Sequence, residues 1–312
     1  MNGTDKNNVF GNLIVQRLRF IAPFLFILAG MLTIGSFLGI AFSLPLMGFD
    51  FEILQQVLAD PINYPQYKNA ILLMQAGQSI GWLFVAPWLY LKYVKRVNPV
   101  DYVGDRSASI SMVGLTVLIG FSFMIFDSVI VEWNKSLQFP EFMSEFQQWA
   151  MEKEKMLEEL TKFFTEFSSF SNFAIAFVVI ALIAGIGEEY LFRGVLQKHF
   201  QEYTKSYHLA IWLAAICFSA IHMQFYGFVP RMLLGALFGY LYYYSGNLIY
   251  PIVAHIFNNG LVVTLTYFDQ IGLTHLDLQK EESAPIYAVV AGLLISMMGL
   301  KAFRAHFMQK ES

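Results

Sequence analysis

Three groups of polar residues interrupt the apolar second half of the chain. They are Glu188 and Glu189 with Arg193, then Phe218 with His222, then His255 with Asn259. An ionisable side chain at membrane depth is costly, so it indicates a functional site by default. Carboxylates and imidazoles can transfer protons, and a histidine with an amide can bind an oxyanion or a metal ion. These residue types therefore predict chemistry inside an apolar region.

Helical spacing gives the two adjacent glutamates different expected roles. Glu189 and Arg193 are four residues apart with the acid first, which favours an ion pair within one helix. Glu188 then faces the bundle interior, where desolvation would make it a usable general base. His255 and Asn259 share one helix face by the same spacing. Two structural alternatives remain: the ion pair only anchors a helix end, or each histidine only bonds a neighbouring helix.

Composition identifies an integral membrane protein. Of 312 residues, 56% are hydrophobic and 14% are charged, and the mean hydropathy is +0.52. A soluble domain carries roughly 25% charged residues. The single cysteine, Cys217, excludes an intramolecular disulfide and a Cys-rich zinc site. The net charge of -3 gives no sign of nucleic-acid binding, and the apolar composition makes membrane lipids expected partners.

The elements that position these residues are expected to be membrane-spanning helices. A crossing needs ~20 apolar residues, and the apolar runs predict an all-α polytopic bundle of about eight spans. The spans are placed at 20–49, 70–91, 107–126, 168–200, 208–224, 229–245, 248–268 and 284–300. An amphipathic helix is expected at about 141–168, on the outer side. At ~1.5 Å per residue, Glu188, His222 and Asn259 lie roughly 16–22 Å from the cytoplasmic helix ends, provided that the fourth helix continues to about Phe200.

Basic residues predict the orientation of the bundle. Of the 20 Lys and Arg residues, 13 fall on the side of the termini and 7 on the opposite side. Positive charge concentrates on the cytoplasmic side, so both termini are expected in the cytoplasm, in the inner membrane if the protein is bacterial. We expect three regions: a membrane region at 1–170, a catalytic core at 171–265, and an outer loop with the last span and tail at 266–312.

The polar groups resemble the CPBP intramembrane protease family. Residues 188–194, 218–222 and 255–259 read EEYLFRG, FSAIH and HIFNN, similar to that family's ordered motifs EExxxR, FxxxH and HxxxN/D. The family, also called Abi, includes type II CAAX prenyl endopeptidases and bacteriocin-processing or self-immunity proteins. The resemblance covers about residues 170–265.

The resemblance implies hydrolysis of peptide bonds in membrane-associated or lipidated substrates. It implies that Glu188 is the general base and that His222 helps to hold and activate the water. His255 and Asn259 would stabilise the oxyanion, while Glu189, Arg193 and Phe218 would support the catalytic residues.

A metal-dependent mechanism stays open at this point. Glu188, His222 and His255 form a set that is plausible for catalytic zinc, although the chain has no HExxH motif. A metal-free glutamate mechanism fits the same residues equally well.

Two other functions are alternatives. The first is a non-catalytic membrane scaffold or bacteriocin-immunity protein on the same fold. The second is a proton-coupled transporter, which usually shows two matching halves, and the sequence has no such repeat.

Overall fold

The computed structural model describes residues 3–104, 107–274 and 283–308, with the backbone alone for residues 3–16. Secondary structure within these ranges is helical, which confirms the predicted all-α class. Six helices are long and apolar enough to cross a membrane. They are α1 (Arg17–Met47), α3 (Pro65–Lys95), α5 (Ile110–Lys135), α7 (Phe170–Thr204), α10 (Ile249–Gln270) and α11 (Ile286–Met308).

Five further helices complete the described fold. They are α2 (Phe51–Ala59), α4 (Pro99–Val103), α6 (Ser144–Thr165), α8 (Tyr207–Ala220) and α9 (Phe228–Ser245). Helices α8 and α9 take the places of the predicted fifth and sixth spans. At 14 residues, α8 is shorter than the ~20 residues of a full crossing.

The predicted span 208–224 ends earlier than expected, at Ala220. The amides of His222 and Met223 bond carbonyls three residues back, at Ser219 and Ala220, which tightens the last turn. Met223 then adopts a positive φ of 54°, which ends the helix. His222 therefore lies in the turn after α8 rather than inside a span.

The long helix α7 carries the Glu188–Arg193 motif near its middle. It runs unbroken from Phe170 to Thr204, which confirms that the fourth span continues past Phe200. Two stretches of it are π-helical, Phe177–Ile183 and Tyr190–Gln197. Wider π-helical turns are frequent at functional sites because they change the direction of the side chains that follow.

Glycines allow close approach of the helices around the site. A Cβ atom at Gly81 of α3 would lie 2.4 Å from the Cα of Gly35 in α1. One at Gly239 of α9 would lie 2.8 Å from Ile211 of α8 and 2.8 Å from the Gln197 side chain of α7. Backbones in such contact gain van der Waals energy that larger residues would prevent.

Helix α6 is the predicted amphipathic helix. A 3₁₀ turn at Glu141–Met143 precedes it, so the regular helix is slightly shorter than the expected 141–168. Its buried Phe163 and Phe164 join a core with Leu72 and Ala176. At its other end, the ring of Phe146 contacts Phe225 with centroids 5.6 Å apart. The helix thus packs over the loop between α8 and α9.

The predicted orientation and the three-region division stay predictions. Three of the basic residues on which the orientation depends, Arg106, Lys280 and Lys310, lie outside the described residues.

Candidate functional site

A buried ion pair forms the centre of the site. Nη1 of Arg193 donates to Oε1 of Glu189 at 2.6 Å, and the two side chains are 1% and 0% exposed. Nη2 of Arg193 donates to the carbonyl of Gly235 at 2.9 Å, which ties α7 to α9. The guanidinium lies over the ring of Phe218, 4.7 Å from its centroid. The predicted pairing of Glu189 with Arg193 is confirmed.

His255 of α10 joins this pair. Its Nδ1 lies 2.7 Å from Oε1 of Glu189, and its Nε2 lies 3.8 Å from Oε2 of Glu188. One carboxylate oxygen of Glu189 therefore contacts both Arg193 and His255. Helical spacing did not predict the contact between Glu189 and His255, because the two residues lie on different helices, 66 positions apart.

Glu188 differs from its neighbour in accessibility. Its side chain is 13% exposed, whereas that of Glu189 is fully buried. A carboxylate that keeps some access can meet a water molecule, while the enclosed one serves as an acceptor for fixed neighbours. The general-base role expected for Glu188 stays a prediction.

His222 is fixed by the residue that begins its own motif. Its Nδ1 lies 2.8 Å from the carbonyl of Phe218. A carbonyl only accepts, so Nδ1 carries the proton and Nε2 keeps a free lone pair. The Phe218 ring contacts both histidines, with centroids 5.3 Å from His222 and 5.8 Å from His255, so it packs between them.

In the described part of the chain, Asn259 has one amide hydrogen without an acceptor. Its Nδ2 donates to the carbonyl of Ile180 at 3.0 Å, and its Oδ1 accepts from Nδ2 of Asn258 at 3.1 Å. An amide nitrogen carries two hydrogens, and the bond to Ile180 uses one of them. The other is available to an oxygen atom of a ligand.

The proposed zinc ligands do not form a metal site. Within the ranges that the structure describes, no group of three His, Cys, Asp or Glu side chains is arranged to hold a metal ion. Nδ1 of His255 bonds Glu189 and Nδ1 of His222 bonds a backbone carbonyl, which leaves Nε2 of each ring as the nitrogen that could face a ligand. In the described structure, however, Glu188, His222 and His255 are not arranged together as a three-ligand centre.

A second arginine lies beside the site. Arg231, in the first turn of α9, acts electrostatically on Glu188 and His222. Its Nη2 donates to Oε1 of Gln224 at 2.6 Å, and Nε2 of Gln224 donates to Oε1 of Glu154 at 3.3 Å. The motifs did not include Arg231. The available signal was its charge within residues 209–268, where the other ionisable groups, apart from tyrosine and cysteine, are His222 and His255.

Comparison with known proteins gives a partial match. Residues 170–261 match the family model of the type II CAAX prenyl endopeptidase Rce1-like proteins. The uncharacterized protein YpbD of Bacillus subtilis (strain 168) is 28% identical over 118 residues, which are 36% of this chain and 55% of that protein. The chain thus spans about half the length of this curated relative. No solved structure matches significantly. The matched residues contain all three motifs, so the resemblance predicted from them is confirmed: residues 170–261 are similar to the Rce1-like type II CAAX prenyl endopeptidases.

Proposed function

We propose that the chain is an intramembrane endopeptidase that hydrolyses a peptide bond in CAAX-type lipidated peptides. The matched family supports this reaction class. The observation that carries the proposal is the position of Glu188, whose partly accessible carboxylate faces Nε2 of His255 at 3.8 Å. An acid and a histidine in this proximity within an apolar bundle can move the protons that hydrolysis requires.

In the proposed first step, Glu188 removes a proton from a water molecule. The water oxygen attacks the scissile carbonyl carbon while the proton moves to the Glu188 carboxylate. Nε2 of His222 can accept the second water hydrogen, because Nδ1 of the same ring donates to Phe218. The Glu188 carboxylate and Nε2 of His222 together would orient the attacking lone pair of the water oxygen.

The tetrahedral intermediate then needs donors for its oxyanion. His255, whose Nδ1 lies 2.7 Å from Oε1 of Glu189, is the first proposed donor, through Nε2. The free amide hydrogen of Asn259 is the second proposed donor. As the intermediate collapses, Glu188 gives its proton to the leaving nitrogen and the C–N bond breaks.

Cleavage by single variants tests this proposal. The probe is a fluorogenic farnesylated CAAX peptide, and the protein is reconstituted in lipid nanodiscs. Glu188→Ala and His222→Ala are each expected to lower kcat about 10²–10⁴-fold, the usual contribution of a general base or proton acceptor. Glu158→Ala is the matched control, because Glu158 is an exposed acid on α6.

Two outcomes would contradict the proposal. In the first, Glu188→Ala protein cleaves the peptide at the wild-type rate. In the second, the wild-type protein cleaves no peptide and a comparison of membrane peptidomes finds no product that depends on Glu188. The second outcome would favour a non-catalytic scaffold.

A further inference from the structure

Arg231 has a position that the proposed chemistry does not use. It follows the loop of residues 221–227, which begins with Ile221 and His222, and its guanidinium folds back over that loop. A Cβ atom built at Gly227 would lie 3.1 Å from Nη2 of Arg231. The loop glycine therefore leaves room for the guanidinium group next to the turn that carries His222.

The guanidinium is only partly satisfied. Nη2 donates to Gln224, but Nη1 is enclosed and has no hydrogen-bond partner within the described ranges. Among the described residues, no carboxylate oxygen is in salt-bridge contact with Arg231. An enclosed polar atom without a partner costs free energy, and for a charged group the cost is larger. A ligand that supplies an acceptor would recover this cost.

Arg193 and Arg231 differ in the partners of their guanidinium groups. Arg193 bonds Glu189 and the Gly235 carbonyl and is flanked by aromatic rings, so its charge is compensated inside the protein. Arg231 acts electrostatically on Glu188, as Arg193 does, and Glu154 is the carboxylate that acts most strongly on it. Unlike the donors of Arg193, however, Nη1 of Arg231 has no acceptor among the described residues. A free charged donor near the reacting groups attracts an anionic part of the substrate.

We infer that Arg231 is a specificity-determining residue that binds the C-terminal carboxylate of the peptide substrate. This inference rests on the proposed peptidase function. A carboxylate is the acceptor that matches a guanidinium best, because it is planar and charged. It is also the one group that every CAAX-type peptide presents beyond its scissile bond, whatever its side chains.

Helix α6 and the loop of residues 221–227 lie over Arg231 and explain why Nη1 is enclosed in the free protein. Helix α6 packs on the same loop through the ring contact of Phe146 with Phe225, and Glu154 of α6 accepts from Gln224. Gln224 thus bridges Glu154 and Arg231 and fixes the orientation of the guanidinium. Entry of the substrate carboxylate requires α6 and the loop to separate locally from Arg231.

The test compares two forms of one farnesylated CAAX peptide, one with a free C-terminal carboxylate and one with a carboxamide. Wild-type protein is expected to cleave the carboxylate form with about 10–100-fold higher kcat/KM, as for one hydrogen bond to a charged group. In Arg231→Gln protein this ratio falls towards one, and Arg231→Lys recovers part of it. Lys155→Gln is the matched control, because Lys155 is an exposed cation on α6, and it keeps the wild-type ratio.

Affinity measurements test this inference independently of the peptidase proposal. The affinities of both labelled peptides are measured with Glu188→Ala protein, with and without Arg231→Gln. A preference for the carboxylate that Arg231→Gln abolishes supports the subsite even if no peptide is cleaved. The inference is wrong if the wild-type ratio is near one. It is also wrong if Arg231→Gln leaves the ratio unchanged in both the cleavage and the binding measurements. The thermal unfolding midpoint of each variant identifies any ratio change caused by misfolding.

Discussion

At the scale of single residues, the site depends on one oxygen atom. Oε1 of Glu189 accepts from Arg193 and lies within bonding distance of His255. The negative charge of this carboxylate is therefore shared between a fixed cation on its own helix and a titratable ring on another. Arg193 supports the arrangement from the other direction, since it also bonds the backbone of α9. Loss of Arg193 would leave a buried carboxylate without its permanent counter-charge.

Arg193→Gln is accordingly expected to destabilise the protein by about 3–5 kcal/mol, the cost of removing one partner of a buried ion pair. Denaturant-induced unfolding in detergent micelles measures the change in free energy. The double variant Glu189→Gln with Arg193→Gln should recover part of the loss, because it leaves no unpaired buried charge. Lys301→Gln, at an exposed position of α11, controls for the loss of a positive charge. Equal midpoints for Arg193→Gln and Lys301→Gln would disprove the expectation.

Removal of metal ions is expected to leave peptidase activity unchanged. The reason is geometric, because Glu188, His222 and His255 are not arranged as a metal site. Activity is measured after treatment with a strong chelator and dialysis, alongside metal analysis of the same sample. If activity falls with the metal content and returns when zinc is added, the metal-free mechanism is wrong.

Sequence spacing predicted the local contacts of the site but not the contacts across helices. The pair Glu189–Arg193 follows from a four-residue interval. The bond from His255 to Glu189 depends on how α10 packs against α7, and no local pattern encodes it. Arg231 was passed over for a related reason: its role depends on an unpartnered donor, which is visible only once the surrounding side chains are placed.

At the scale of elements, regular periodicity misses the π-helical turns of α7. The spans are predicted from the lengths of apolar runs and a regular rise of ~1.5 Å per residue, whereas residues 177–183 and 190–197 form wider turns. A single-sequence pattern carries no sign of the added residue. The same limit applies to α8, whose apolar run continues to residue 221 while its hydrogen bonds tighten at Ala220.

The contact between α1 and α3 gives a test at this scale. Gly81→Ala is expected to destabilise the protein by roughly 1–3 kcal/mol, as overpacking does, because its Cβ would lie 2.4 Å from a backbone atom of Gly35. Gly114→Ala is the matched control, since a Cβ there would meet nothing within 4 Å. The unfolding midpoints of both variants are compared with wild type. If Gly81→Ala unfolds no earlier than Gly114→Ala, the close helix contact is wrong.

The attachment of α6 is expected to depend on pH through Glu154. Burial raises the pKa of Glu154 above its ordinary value, so the folded state binds its proton more tightly than the unfolded state does. Stability of the attached helix is then highest below the ordinary pKa, and it falls as pH rises through the raised pKa. Amide hydrogen exchange in α6 measures this change as protection factors, which correct for the intrinsic effect of pH. These factors should fall as pH rises through the raised pKa of Glu154.

Glu154→Gln removes the titrating group and should flatten that pH dependence. Glu159→Gln, at an exposed site on the same helix, should keep the wild-type profile. Protection of α6 could instead rise with pH in the wild-type protein, or fall equally in Glu154→Gln. Either result would show that titration of Glu154 does not control the attachment of α6.

At the scale of the whole molecule, the family match covers only part of a bundle whose cores combine distant segments. Leu44, Leu72, Phe163 and Ala176 belong to one buried cluster, although the first three fall outside residues 170–261. The rings of Phe84 and Tyr190 also stack across α3 and α7, with centroids 6.2 Å apart. Composition predicts the membrane class and the approximate helices because hydropathy is local. Which helices enclose the site is a property of packing, and the proposed three-region division remains to be tested.

The orientation of the bundle is the remaining prediction at this scale. The distribution of basic residues predicts that the turn between α7 and α8 lies in the cytoplasm and that α6 lies on the opposite side. Cys217 is the single cysteine, so a Cys217→Ser background allows single reporter cysteines. In intact bacterial host cells, a membrane-impermeant maleimide should label Glu158→Cys but not Lys205→Cys, and permeabilisation should make Lys205→Cys reactive. Both reporter positions are exposed, which removes burial as a cause of low labelling. The reverse pattern would place the termini outside and α6 in the cytoplasm.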